Sequence, residues 1–238
     1  FSDIPQAVRY LEETYQIYGS DYYFDEAIYH RGDLNEVNSY LEEKLEEHPY
    51  SYYFARKFTD FCGMLMGFFA TVLLAVLFLR DTRKDIYELL HTKPIKASSY
   101  ILGKIGGGMA VIGIALLILT GIFGILCEIH GRREGLPVRF SDFVVHVICY
   151  ILPNMLMITS VYAAIAVIFK NPLPAIPLLF LYIVYSNMGS RVDGVYGYYG
   201  RPLAIMVRFP GMFLDTNPPP LAMWNQIFLI VASIALIS

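Results

Sequence analysis

An all-α fold, that of a polytopic helical membrane protein with a small helical segment outside the bilayer, is predicted by three observations. The 238 residues are 56% hydrophobic and 16% charged, with a mean hydropathy of +0.48. Soluble domains average about 45–50% apolar and about 25% charged residues, so this chain lacks the charge that a water-facing surface needs. Uncharged apolar runs of span length recur along it, about five in all. Charge is also divided: residues 1–55 carry twelve acids against three bases (Arg9, Arg31, Lys44), a charge of −9, and the remainder carries nine acids against fifteen bases, +6. The chain therefore divides into residues 1–56, acidic, tyrosine-rich and extracytoplasmic, and residues 57–238, a transmembrane domain.

Two short helices are expected in the first part. Asp3 ahead of Ile4-Pro5 supplies a capping acid and a first-turn proline, followed by Val8, Leu11 and Tyr15 at helical spacing. Asp33 repeats the signal before Leu34, Val37, Leu41 and Leu45, and His48-Pro49 ends that stripe. Ten of the nineteen tyrosines fall by Tyr53, with Tyr50, Tyr52 and Tyr53 just ahead of the first apolar run, where rings with polar tips suit the headgroup layer. A sugar- or substrate-stacking role for them is the alternative.

Phe61–Leu79, Ile101–Cys127 and Phe143–Phe169 are each expected to cross the bilayer, which takes about 20 helical residues for about 30 Å of hydrocarbon. Lys104, near one end of the second, can snorkel to the interface. Pro153 in the third predicts a kink. Ala175–Met188 is a shorter candidate behind Pro172 and Pro174, with Pro177 inside it; residues 189–220 form a loop that partly re-enters or lies on the surface, with a semi-apolar patch at Leu203–Val207. Leu221–Ile237 begins a last span, with Trp224 at the interface. The chain starts without Met or a signal peptide and stops after an apolar run, so it is expected to be an excised piece of a longer membrane protein.

Orientation follows from bases near span ends. Arg80, Arg83, Lys84, Lys93 and Lys96, with Lys104 beyond, make the loop between the first two spans cytoplasmic. Residues 1–60, 128–142 and 189–220 then lie outside, although Arg132, Arg133 and Arg139 run against this assignment, partly offset by Glu128, Glu134 and Asp142.

Motifs for chemistry are missing from the sequence. It has no H-E-x-x-H, G-x-S-x-G or C-x-x-C, and Gly103-Lys104 lacks the upstream glycine of a phosphate-binding loop. Cys62, Cys127 and Cys149 are an odd three in or beside apolar runs, which excludes a disulfide scaffold. Neither an enzyme, a metal site nor a nucleic-acid partner is predicted; His130 with His146 is the one metal pair weighed, against surface or interface histidines. Span centres without ionisable residues disfavour a carboxylate proton relay and suit a bulky or lipid-like solute. Gly63-x-x-x-Gly67 and Gly103-x-x-x-Gly107 offer small faces for helix packing, within one bundle or between two copies.

The cytoplasmic loop is the most informative stretch. Ile86, Leu89 and Leu90 share one helical face, Arg83, Lys84, Asp85 and Glu88 surround it, and Pro94 limits it. Such a helix can lie on the membrane or dock in a partner's groove. Arg83 through Leu90, then Thr92-Lys93-Pro94-Ile95, then Ile101-Leu102-Gly103-Lys104, resembles the cytoplasmic stretch of type-2 ABC transporter permeases in order and spacing over about 25 residues, with Asp85-Ile86 departing from the usual small pair. That resemblance implies a coupling helix at about 81–94, with Arg83, Glu88, Leu89, Leu90 and Pro94 at the contact with an ABC ATPase. ATP and Mg would sit in that partner, and no cofactor in this chain. It further implies a first span ahead of Phe1, a homodimer or pseudo-dimer of permeases in membrane lipid, and an exporter in a bacterial plasma membrane. Pro153, Pro177 and the glycines of the second span are candidate flexing points. A polytopic sensor or scaffold, with an outer ligand-binding segment and a basic loop that recruits another cytoplasmic protein, is the competing reading.

Overall fold

The computed structural model describes residues 4–15, 33–80, 92, 96–188, 190–192, 195–197, 200–209, 211 and 213–237. Two compact units result, Phe1–Glu47 and His48–Ser238.

The first unit holds α1 (Ile4–Tyr15) and α2 (Leu34–Glu47). Asp33 does start α2: its Oδ1 accepts the Glu36 N–H at 2.8 Å, and Glu36 Oε2 accepts the Asp33 N–H at 3.0 Å. This reciprocal capping box satisfies two donors that a helix start leaves open. No residue of α2 is buried, and Leu34, Val37 and Leu41 of its apolar stripe are exposed.

The second unit is a helical bundle. Its elements are α3 (Tyr50–Leu79), α4 (Ala97–Glu134), α5 (Ser141–His146), a π-helical turn (Val147–Ile151), α6 (Leu152–Phe169), α7 (Ala175–Asn187), the strands β1 (Ser190–Val192) and β2 (Val195–Gly197), and α8 (Ala222–Ile237). By length and composition α3, α4 and the continuous rod Ser141–Phe169 can each cross a membrane; α7 and α8 are shorter apolar helices. β1 and β2 form an antiparallel pair in which Arg191 faces Tyr196, an addition to the all-helical expectation.

Ring contacts fix how the rods run. Phe58 meets Phe143 at 5.7 Å and Phe78 stacks on Tyr162 at 6.2 Å, so α3 and the α5–α6 rod are parallel. Phe58 also meets Phe123 at 5.1 Å while Lys104 donates to the Leu77 carbonyl at 2.8 Å, so α4 is antiparallel to α3. Leu74, Ile112, Ile151, Met155, Ile158 and Leu179 are buried between them.

Several elements depart from expectation. α3 begins at Tyr50 instead of Phe61 because Arg56, Lys57 and Asp60 find partners and need not stay in water. Residue 56, the expected division of the chain, lies inside this helix, with Tyr53, Ala55 and Arg56 buried in the bundle. Tyr53, assigned to the headgroup layer, is 2% exposed. Lys104 is tied to the last turns of α3: its ammonium holds the Leu77 carbonyl and lies 4.9 Å from the Phe78 ring and 5.4 Å from that of Tyr100. At Pro153 the disturbance takes the form of the π turn just before it. Proline has no N–H to continue the ladder, and Asn154 Nδ2 adds a bond to the Tyr150 carbonyl at 2.6 Å. Trp224 is exposed at the start of α8.

Candidate functional site

Part of the stretch 189–220 is buried in the bundle, and it makes the most elaborate polar structure among the described residues. Ala204, Ile205, Met206, Val207 and Phe209 are buried although none is helical. In hydrocarbon such backbone is tolerated only where protein groups satisfy its N–H and C=O. Here neighbouring helices supply those groups.

The near half, 201–207, hangs on α7 and α8. Leu203 sits in the left-handed region (φ 59°), a conformation that a branched side chain rarely adopts. Its N–H donates to Asn225 Oδ1 at 2.8 Å, and its carbonyl accepts from the Tyr182 hydroxyl, so side chains of α8 and α7 hold it from both sides. Asn225 Nδ2 also donates to the Arg201 carbonyl at 2.8 Å, Tyr185 donates to Pro202 O at 3.1 Å, and the Ile205 N–H donates to Ser186 Oγ at 2.9 Å. Below them Gln226 Nε2 donates to Asn154 Oδ1 at 3.2 Å and ties α8 to α6.

The far half, 208–217, is clasped by the first turns of α3. Tyr52, Arg56 and Asp60 recur every four residues and so share one helical stripe. Asp60, 3% exposed, accepts from Arg208 Nε and from the Phe209 N–H at 3.3 Å, and Arg208 Nη1 donates to Asn187 Oδ1 at 2.6 Å. Arg208 therefore bridges α3 and α7. Lys57 Nζ donates to the Phe209 and Gly211 carbonyls at 3.0 and 2.9 Å. Gly211 has φ 97°, and a Cβ there would lie 2.9 Å from the Asp215 carbonyl oxygen, so only glycine fits. Arg56 donates to the Thr216 carbonyl, to Asn217 Oδ1 at 3.0 Å and to the Tyr52 hydroxyl, with its guanidinium 4.0 Å above the Tyr52 ring.

Nothing in this constellation pairs a nucleophile with a base, and among the described residues no group of three His, Cys, Asp or Glu could hold a metal. His130 lies against the Tyr50 ring and His146 against Tyr52, with His146 Nδ1 2.7 Å from the Asp142 carbonyl. The chemistry on offer is mechanical: charges and carbonyls that hold a buried, irregular segment across the end of the bundle.

Comparison with protein families decides what such a bundle belongs to. Residues 26–237 match the family model described as ABC-2 family transporter protein. The chain belongs to the ABC-2 transporter family. Neither curated proteins nor solved structures give a match. Membership makes the chain a membrane-embedded transport component, not a catalytic domain, and implies association with an ABC ATPase.

Of the residues singled out in the sequence of this ABC-2 permease, Arg83, Glu88, Leu89, Leu90 and Pro94 lie outside the described residues. The two glycine pairs are differently placed. A Cβ on Gly63 would touch Ile151, and one on Gly67 would meet Met206 at 2.0 Å, with Ile183 and Ile158 next. Gly103 and Gly107 have nothing within 4 Å; the α4 glycine that lets α3 approach is Gly108, whose Cβ would lie 2.9 Å from Leu74. The clasp residues went unnoticed in the sequence. Arg56, Lys57 and Asp60 immediately precede an uncharged run, and three ionisable groups at the mouth of a span are a usable signal.

Proposed function

We propose that the chain is the multi-pass permease subunit of an ATP-driven exporter, with residues 1–56 outside a bacterial plasma membrane and the basic loop inside. ATP and Mg would bind in the partner ATPase, which seats the helix around Arg83, Glu88, Leu89, Leu90 and Pro94. Two permeases would make the pore, and the open face of α4 at Gly103 and Gly107 is where a second copy could approach.

The observation that carries this reading is α3, one uninterrupted helix of 30 residues. At 1.5 Å per residue it extends about 45 Å. One end leads directly into the loop that resembles a coupling helix, and the other carries Arg56, Lys57 and Asp60 into the clasp. A push on the loop is thus transmitted through a rigid rod to the segment that closes the opposite end, and the release of that segment opens the path. Domain movements of this kind need a stiff lever and a contact with two arrangements.

Co-purification tests the coupling. An ABC ATPase should travel with the full-length protein and be lost on Glu88→Arg or Leu89→Asp, together with transport-stimulated ATP hydrolysis. Retention of the ATPase and of stimulated hydrolysis in both variants would overturn the assignment.

A further inference from the structure

Beside the clasp, a groove of about 240 Å³ runs along the outer face of α3 against α4. Phe54, Phe58, Phe61 and Leu65 of α3 and Leu119 and Phe123 of α4 form its walls, and among the described residues Lys57 is the one charged residue that lines it. Phe61 and Leu65 are 57% and 64% exposed, so the groove opens sideways, towards whatever surrounds the bundle. In a bilayer that is lipid.

Its dimensions and charge select among lipids. From Phe54 to Leu65 the wall is about 16 Å long at 1.5 Å per helical residue, close to half of a hydrocarbon core of about 30 Å. The groove therefore accommodates a chain from one leaflet. Lys57 stands one turn before Phe61, where the uncharged run begins, which puts its ammonium at headgroup depth. Two of its three N–H groups go to the Phe209 and Gly211 carbonyls, and the third remains for a ligand. Charge near it is unbalanced. Arg56, Lys57 and Arg208 are gathered around Asp60, which is engaged by Arg208; among the described residues Arg56 and Lys57 have only neutral hydrogen-bond acceptors. Asp60 offsets only part of the positive charge around the half-buried Lys57, so an anion beside it is favoured.

We propose that this groove seats one acyl chain of an anionic phospholipid from the leaflet at the Tyr50 end, with the phosphate of its headgroup against the Lys57 ammonium. The lipid would reinforce the clasp, because the same ammonium holds Phe209 and Gly211. The inference needs the chain to lie in a bilayer and does not depend on export.

The full-length protein in phosphatidylcholine nanodiscs doped with phosphatidylglycerol provides the test, read by native mass spectrometry after release. Wild type should keep one phosphatidylglycerol per chain, enriched about tenfold over its share of the bilayer, the equivalent of about 1.4 kcal/mol. Lys57→Gln should lose the enrichment while still retaining a chain, and Lys57→Arg should keep it. Since Lys57→Gln also loosens the re-entrant segment, Leu119→Trp is the second arm: it fills the groove from α4, leaves every clasp residue unchanged, and should abolish retention of either lipid. Retention of the two lipids in bilayer proportion by wild type, undiminished enrichment in Lys57→Gln, or wild-type retention in Leu119→Trp would each overturn the proposal.

Discussion

The two ends of α3 are held by different physics. At the Tyr50 end Arg56, Lys57 and Asp60 make short, directional, charged contacts with residues 208–217. At the Leu79 end Phe78 stacks on Tyr162, the Tyr162 hydroxyl donates to the Thr71 carbonyl at 2.8 Å, and Lys104 reaches the Leu77 carbonyl. Charged hydrogen bonds fix distance and angle, whereas ring faces can slide with little loss. Among the described residues the Tyr50 end has more of the charged contacts, with Lys104 their counterpart at the other end, so the rod is gripped more firmly where it meets the clasp. The charged end then responds by holding or by letting go.

Asp60 should show the largest effect. Removing one partner of a fully buried pair costs about 3–5 kcal/mol; Arg208 is part exposed and keeps Asn187, so Asp60→Ala falls toward the low end of that range, and it should lower the thermal midpoint of the detergent-solubilised protein by more than Asn225→Leu or Tyr162→Phe does. Asp60→Ala combined with Arg208→Met should recover part of the loss, because no charge is left alone. A double variant as unstable as the sum of the two single ones would mean that the pair does not couple the segments, and the contrast between the ends would fail. Asn225 follows. It serves the Leu203 N–H and the Arg201 carbonyl at once, and Asn225→Leu leaves both unsatisfied, at about 1–3 kcal/mol for a buried group that loses its partner. Limited proteolysis should find residues 201–209 more readily cleaved in that variant. Tyr162→Phe tests the softer end: it deletes one hydroxyl and keeps the stacked ring, a loss of about 1 kcal/mol. A Tyr162→Phe midpoint below that of Asp60→Ala would invert the comparison.

What could be seen in the sequence divides along the same line. The rods were legible, because an apolar run of span length leaves the backbone one way to satisfy itself. The Asp33 cap was legible too, because it is local, although its reciprocal partner Glu36 went unnoticed. The clasp was not: Arg56 and Asp60 are four apart on one helix, a spacing that suggests nothing beyond a local pair, yet Asp60 pairs with Arg208, 148 positions later. Likewise Leu203–Val207 could be recognised as semi-apolar, but its burial depends on Asn225, Ser186 and Tyr182, polar residues inside apolar helices whose partners are set only by the fold. The glycine spacing was equally visible at 63/67 and 103/107, and it does not say which face of a helix meets a neighbour.

That last difference gives the smallest effect and the one whose sign matters. Gly67→Ala puts a methyl where Met206 Cε lies 2.0 Å away, so the re-entrant segment must shift its methionine, at about 1 kcal/mol for a packed site with a flexible neighbour. Gly107→Ala meets nothing within 4 Å and exchanges the poorest ordinary helix former for the best, so it should be neutral or stabilising by up to about 1 kcal/mol in the single chain. Thermal unfolding of the two variants in the same detergent should therefore move in opposite directions. If α4 meets a second copy along Gly103 and Gly107, a larger residue separates packing between copies from packing within one: Gly107→Leu should leave the unfolding of the dilute protein near wild type and reduce the dimer fraction seen by light scattering. A Gly107→Leu protein that unfolds earlier while remaining dimeric would place that glycine inside the bundle. The distinction between a closed face on α3 and an open one on α4 would then be lost.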